Sequence, residues 1–538
     1  MEQTLIPDGL HVIGRPPTET ERLELLSAMA EGQPGPAISR PVLAALVAGA
    51  AVRTALNQSG LHEDPVLLAR LETLARAARL LAVDHETGAL LKALEGGYIS
   101  PAPGGDLLRT PDILPTGRNL HGFDPFRLPS GFAVREGERQ AAQVLDRHKA
   151  NTGEVPRTVA LVLWGTDNLK SEGAPIAQAL ALMGARPRLD SYGRVCGAEL
   201  IPLADLKRPR IDVVMTLSGI FRDLLPLQTK MLAEAAFLAA SAEEPAEVNF
   251  IRAHTLAHMA SQNCDLETAA LRVFSNADGT YGANVNQLID SGLWQGEDEL
   301  ADAYEARKSF AYGRNGKPQA QGKLLSQMLA GVDLAYQNLD SLELGVTTID
   351  HYVDTLGGIS RAVTRARGKA APVYICDQTT GNGQVRTLAE QVAVETHTRT
   401  LNARWYEGLL KHGYEGVRQI EAQITNTLGW SATTGDVTPW VYEQITQTYL
   451  LDPAMRERLA SLNPKSSVRM ANRLIEAHER RYWTPDAETL AALRQASAEL
   501  EDRLEGVPPQ APPSSVSNFS PAFTGTANSP RQPAFSAL

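Results

Sequence analysis

The stretch that decides the fold is Thr158-Val159-Ala160-Leu161-Val162-Leu163-Trp164-Gly165-Thr166-Asp167-Asn168. Its first seven residues form a continuous apolar run of strand length, and the glycine and polar residues that follow end it. A helix pattern through Ile176-Ala177-Gln178-Ala179-Leu180 comes next. The unit repeats at Ile211-Asp212-Val213-Val214-Met215-Thr216-Leu217, which ends in Ser218-Gly219 and leads into a helix pattern from Leu227 to Ala240. Strands apolar along their whole length, alternating with helices, predict a parallel sheet covered on both faces, an α/β fold. In such sheets ligands bind beyond the carboxyl ends of the strands. That rule places Gly165-Thr166-Asp167-Asn168 and Ser218-Gly219-Ile220-Phe221-Arg222-Asp223 on the rim where chemistry is expected. Neither segment is a GxGxxG or Walker A loop, so no nucleotide site is visible.

Outward from this unit the chain divides by pattern. Residues 1–100 read as a mainly helical region after a short extended start. Leu67, Leu71, Leu74, Ala78 and Leu81 recur at the spacing of one buried helix face. Residues 101–131 form a Pro/Gly-rich loop segment, too rich in Pro and Gly for a long helix or central strand. Arg118, Asn119, His121, Asp124 and Arg127 are interleaved with its turn formers, which suits either a functional loop or a wrapping connection. Residues 132–245 are the α/β domain. Residues 246–383 are read as mixed α/β. Within them 246–345 are expected to be mainly helical, with a break at Asp278–Asn286, and Val373-Tyr374-Ile375-Cys376-Asp377 is a further strand. Residues 384–507 read as a helical domain. The tail, 508–538, holds seven prolines and the single charge Arg531, and is expected to be disordered. No internal repeat is seen.

Composition sets outer bounds. The 538 residues allow several domains. A net charge of −11, from 51 basic and 62 acidic residues, argues against nucleic acid as the main partner. The three cysteines, Cys196, Cys264 and Cys376, form no CxxC pair, which fits a reducing cytoplasm and argues against a zinc ribbon or iron–sulfur cluster. No apolar run approaches the roughly 18–20 residues of a membrane span, and the first residues lack the pattern of a signal peptide. The expected location is cytoplasmic, with docking on a membrane surface left open.

The most loaded stretch for chemistry runs from Asn338 to Gly358. It places Asp340, Glu343, Asp350 and Asp354 with His351 inside 17 residues. If 350–354 is helical, Asp350 and Asp354 share a face and His351 neighbours Asp354. A histidine side chain can accept a proton in general-base chemistry, which makes His351 a candidate base. One or two carboxylates suffice to bind a hydrated Mg²⁺ transiently. The alternative is a solvated helix start with ordinary charges. His254 and His258 have zinc-compatible spacing, but the glutamate of a zincin motif and a third ligand are absent, so surface histidines are the simpler reading. Trp405, Tyr406, Trp430 and Trp440 suit either a flat hydrophobic pocket or aromatic helix packing.

Taken together, Pro115–Pro125, Val162–Lys170, Gly282–Asn286, Tyr336–Asp340, Asp350-His351-Tyr352, Trp405–Gly408 and His412–Gly416 resemble the large subunit of bacterial magnesium chelatase. More distantly they resemble the large subunit of cobaltochelatase. The resemblance covers nearly all of residues 1–507. It implies a porphyrin-binding role in ATP-dependent insertion of Mg²⁺ into protoporphyrin IX for (bacterio)chlorophyll synthesis. ATP would be used by two motor-type partner subunits. Family large subunits are much longer, so the resemblance also implies an N-terminal half, possible as a separately encoded partner. A split subunit, a shortened gene product and an inactive remnant all fit. Under the resemblance, His351 accepts a pyrrole proton while Asp354, helped by Glu343 or Asp350, guides the ion. Arg118, Asn119, His121, Asp124, Asn284 and Trp405 are the expected substrate contacts. Two other readings stay open: a non-catalytic porphyrin-binding or scaffold protein, and a cobaltochelatase subunit acting on a corrinoid precursor.

Overall fold

The computed structural model describes residues 11–32, 36–59, 64–102, 107, 111–118, 124–341, 344–379 and 383–506. Asn119, His121, Glu343 and the tail 508–538 lie outside them.

The core is an eight-stranded sheet, β1 (Thr158–Leu163), β4 (Asp212–Leu217), β5 (Val273–Ser275), β6 (Phe310–Tyr312), β7 (Pro318–Ala320), β8 (Leu334–Leu339), β9 (Val373–Asp377) and β10 (Gln384–Thr387). A separate hairpin joins β2 (Ala185–Leu189) to β3 (Val195–Leu200). The sheet order is β10-β9-β8-β1-β4-β5-β6-β7. The pairs β9/β8, β8/β1, β1/β4 and β4/β5 are parallel, and the outer pairs are antiparallel. This is the expected mixed α/β architecture.

The central strands are apolar throughout because both faces are covered. Val159, Leu161 and Leu163 of β1 point into one core with Val213, Met215 and Leu217 of β4. Ala160, Val162 and Val214 point into the other. That alternation is the period-two geometry of a strand. Each Leu or Val so buried contributes about 1.5–3 kcal/mol relative to exposure. The first face is covered by helices Gly131–Thr152, Ala174–Met183 and Pro226–Ser241. Gly137 lets two of these helices touch: a Cβ there would sit 2.5 Å from the Gln178 nitrogen. The second face is covered by helices between Val285 and Arg367 and by the C-terminal helices up to Glu505.

Four N-terminal helices between Glu19 and Leu81 bury a smaller core of their own around Leu26, Leu43, Leu71 and Leu74, and a fifth, Glu86–Leu94, buries no residue. The predicted stripe Leu67, Leu71, Leu74, Ala78 and Leu81 is buried along helix Pro65–Leu81, with Pro65 in its first turn and Asp64 capping it. In the Pro/Gly-rich segment, Gln228 ties the main chain down by donating to the Leu128 carbonyl at 3.0 Å and to that of Pro125.

Two expectations need correction. Residues 246–345 hold five helices, as expected, but they also supply four strands, β5 to β8. The important one is Leu334-Ala335-Tyr336-Gln337-Asn338-Leu339, which pairs with both β1 and β9. Its Gln and Asn break the apolar signature, yet both are buried. The Asn338 amide donates to Gln178 Oε1 at 2.9 Å, and Gln337 Oε1 accepts from the Trp164 indole at 3.2 Å. A buried polar pair that finds partners can stand in a central strand. Residues 384–507 also begin with a strand, β10, before turning helical.

Candidate functional site

After β1 the chain builds outward to β4 and β5, then returns to lay β8 on the other side of β1. The boundary between β1 and β8 is therefore the topological switch point, where the strand-end loops part and leave a crevice. Trp164-Gly165-Thr166-Asp167-Asn168 follows β1 there, and Asp340 follows β8. The Asn168 side chain locks the first loop by donating to the Trp164 carbonyl at 2.8 Å and accepting from the Ile176 N–H at 3.1 Å.

Asp167 and Asp340 are 5% and 3% exposed. The Asp167 Oδ1 accepts from the Thr166 hydroxyl at 3.3 Å, whereas its buried Oδ2 meets no hydrogen-bond donor among the described residues. Burial, reinforced by the negative charge of Asp340, pushes the Asp167 carboxyl up to about 7. Tyr352 closes the crevice, its ring 5.3 Å from that of Trp164. Burial, then the charges of Asp167 and Asp340, push its phenol upward.

The segment that carries Tyr352 starts as a helical turn, Asp350–Tyr352, and widens into a π-helical turn, Val353–Gly357. Such turns recur at functional sites. The widened turn brings Asp354 inside, where it is 1% exposed. Its carboxylate accepts main-chain N–H groups of Ala283 at 2.6 Å, Val285 at 2.8 Å and Asn286 at 3.2 Å. These are the unpaired donors at the start of helix Val285–Ser291, which Asp354 caps from another part of the chain. Asn284 turns the chain there with φ 65°. With its amide oxygen facing Arg307, it accepts from that guanidinium at 2.7 and 3.1 Å. Asn286 in turn donates to Asp350 at 2.7 Å. Beneath lies the buried Lys308, which donates to Asn276 Oδ1 at 2.7 Å and the Leu217 carbonyl at 3.2 Å. Burial lowers its amine to about 8, against the pull of Asp354's charge. The π-turn can pack this closely because Gly357 faces helix Tyr414–Thr434, where a Cβ would meet Thr433 at 2.8 Å.

His351 points outward, 69% exposed, with Nδ1 3.4 Å from Asp350. Asp350 also lines a cleft of about 880 Å³ between helices Val285–Ser291, Tyr414–Thr434 and Pro464–Glu479. The far wall carries Arg418, Glu421 and Arg469, and Arg469 Nε reaches Glu421 at 3.2 Å. A cleft of that size with charged walls can take a drug-sized ligand bearing carboxylates.

The remaining predicted residues are scattered. Arg118 donates to its own loop's carbonyls, including Ile113 at 2.9 Å and Pro115 at 3.2 Å. Asp124 caps the single turn Pro125–Arg127. Trp405 is 6% exposed and packs in the larger core, as does Trp430. His254 joins a structural network: its Nδ1 lies 2.9 Å from Asp212, which also binds Arg272 at 2.6 Å. His258 contacts Gln327. Among the described residues no three His, Cys, Asp or Glu side chains are grouped to hold a metal ion, and no helix is long and apolar enough to cross a membrane. Sequence reasoning placed Asp167 on the rim and Asp340 in the acidic stretch but missed their meeting, and it missed Lys308. The fully buried strand β1 was the available signal for the first. Nothing in the pattern around Lys308 marks it as buried.

The CobN/Magnesium Chelatase family pattern matches residues 1–490. The magnesium-chelatase H subunit of Rhodobacter capsulatus is 60% identical over 508 residues, which is 94% of this chain and 39% of that protein. The chloroplastic magnesium-chelatase ChlH subunit of Oryza sativa subsp. indica is 44% identical over 438 residues, 81% of this chain and 32% of that protein. Among solved structures, the catalytic subunit of cobaltochelatase from Mycobacterium tuberculosis superposes with a TM-score of 0.84 at 34% identity, covering 92% of this chain and 45% of that one. The chain thus spans about two fifths of the length of the Rhodobacter capsulatus H subunit and of that from Cereibacter sphaeroides.

Proposed function

The chain belongs to the CobN/Magnesium Chelatase family, and from that premise we propose that it is the C-terminal part of a porphyrin-handling subunit that inserts Mg²⁺ into protoporphyrin IX. The observation that carries this reading is the 60% identity, sustained over nearly the whole chain, to a protein named as the H subunit of magnesium chelatase. A cobaltochelatase role on a corrinoid precursor is the second reading, supported by the fold-level match at lower identity.

Metallation requires two pyrrole N–H bonds to break while Mg²⁺ sheds water and gains nitrogen ligands. The charged cleft beside Asp350 offers room and counter-charge for a tetrapyrrole carrying carboxylates. His351, exposed at its edge, accepts one pyrrole proton, and Asp350 beside it attracts the incoming ion. Asp354 serves from beneath: with its oxygens on three main-chain N–H groups, it fixes the turn whose Asn286 holds Asp350. Glu343 assists ion entry. Arg118, Asn119, His121 and Asp124 of the Pro/Gly-rich segment, with Asn284 and Trp405, are the further residues proposed for the substrate's surroundings. ATP hydrolysis belongs to two motor-type partner subunits, and an N-terminal half completes the subunit.

The test is a tryptophan-fluorescence titration of the chain with a soluble protoporphyrin analogue, with and without motor subunits, Mg²⁺ and ATP. Saturable quenching followed by a Mg-porphyrin spectrum supports the reading. Preference for a hydrogenobyrinate over protoporphyrin would favour the second reading, and no binding by folded protein would remove both for this chain alone.

A further inference from the structure

The acidic pair at the switch point is not explained by the cleft chemistry above. Two carboxylates are gathered from consecutive positions in the sheet, beyond the ends of β1 and β8, and both are almost wholly buried. Asp167 makes no ion pair among the described residues, and its Oδ2 is buried without a donor. An isolated buried carboxylate oxygen is costly, and a like charge beside it adds to the cost. What relieves both is a species that accepts an electron pair. A proton fits a site this enclosed, because it needs no room of its own.

We propose that Asp167 and Asp340 form a proton-accepting pair for metallation, taking the second of the two pyrrole protons. This rests on the chelatase reading. The pyrrole N–H bond breaks and its electron pair passes to Mg²⁺ as the N–Mg bond forms; the Tyr352 hydroxyl, on the segment whose Asp350 and Val353 line the cleft, takes up that proton as it gives its own to form an O–H bond on Asp167. With His351 taking the first proton, the two released protons are accounted for and no redox partner is required. The aromatic wall of Trp164 and Tyr352 keeps the pair dry, and the Trp164 indole is held in place by Gln337.

The surroundings suit a base that works near neutrality. From its own helix, Lys170 lowers the Asp167 carboxyl and Thr166 bonds to it. From β8, Asp340 raises it, and the phenols of Tyr336 and Tyr352 and the thiol of Cys376 feel the Asp340 charge in turn. Glu395 and Arg399 act on Tyr352 from the far side. Burial is the largest influence, and it leaves Asp167 at about 7. A general base is most effective when its pKa lies near the working pH.

The experiment has three arms, each on the full chain. Infrared difference spectra between pH 6 and pH 8 are expected to show a carboxylic-acid C=O band in the wild type that Asp167→Asn removes. Porphyrin quenching is expected to be the same in both. The metallation rate, measured with motor subunits and completed by an N-terminal half, is expected to fall about 100-fold or more in Asp167→Asn. Its rise through neutral pH should flatten, and Asp167→Glu should restore part of it. If the wild type, completed by an N-terminal half, binds no porphyrin, the chelatase reading falls and takes this one with it. If the wild type metallates and Asp167→Asn keeps its rate and pH profile, or the acid band persists, only the pair is overturned. Should circular dichroism show that Asp167→Asn does not fold, Asp340→Asn carries the same readouts, and an unchanged pH profile there is equally decisive.

Discussion

Two buried aspartates in this molecule have opposite surroundings. Asp354 is 1% exposed and receives three main-chain N–H groups, with the buried ammonium of Lys308 acting on it. Asp167 is 5% exposed and keeps one oxygen without a donor, beside a second carboxylate. Burial is nearly equal, so burial alone does not say what a carboxylate is for. The count of donors does. A carboxylate saturated by main chain is committed to holding structure, and one left short of donors retains affinity for a proton or a cation.

The largest expected effect is on the saturated side. Asp354→Ala strands two buried N–H groups and a half-buried third and removes the charge that offsets the Lys308 ammonium, and is expected to cost about 3–5 kcal/mol in chemical denaturation. A cost below about 1 kcal/mol would break the comparison.

On the unsaturated side the sign reverses with pH. The Asp167 carboxyl sits at about 7 when folded and near its ordinary value of 3.8 when unfolded. Between these values the native state binds more protons, so its contribution to stability is full at acid pH and is lost as pH rises through 7. Between pH 5 and 8 the loss is about 2–3 kcal/mol. Asp167→Asn should abolish that slope, so the variant gains on the wild type at pH 8 and not at pH 5, read as the difference in denaturation midpoint.

Lys308 sharpens the contrast from the cationic side. Its amine falls from 10.5 to about 8 on folding. Across that window the unfolded chain binds more protons, so this group adds stability as pH rises from about 8 to 10. Lys308→Met should remove the rise, and a double-mutant cycle with Asp354→Asn should return a coupling of about 1–2 kcal/mol.

The smallest stability effect belongs to His351→Ala. The exposed ring should cost under about 0.5 kcal/mol, while metallation by the completed enzyme should slow about 100-fold. An unchanged rate would remove His351 from the proton path and leave the buried pair as the candidate acceptor.

How far these features were legible follows from what each residue's signal depends on. The β1 and β4 runs announce themselves, because a strand covered on both faces must be apolar along its length. The rim position of Asp167 follows directly. Strand β8 did not announce itself: Gln337 and Asn338 look like loop residues until Trp164 and Gln178 are found beside them. The role of Asp354 was hidden for a related reason. Its partners lie some 70 positions earlier in the chain, and a helix-spacing argument sees only neighbours along one helix. The π-turn that moves Asp354 inward depends on glycine contacts with another helix, which local propensity does not contain.

The sequence by itself determined the α/β class, the strand-end rim where such sheets bind ligands, the stretch of acids and the family, because these rest on local periodicity and on strings of residues read in order. Only the tertiary structure decided which acids are saturated and which meet. Strand order and donor count are set by contacts between distant segments, and packing of the whole sheet fixes them at once.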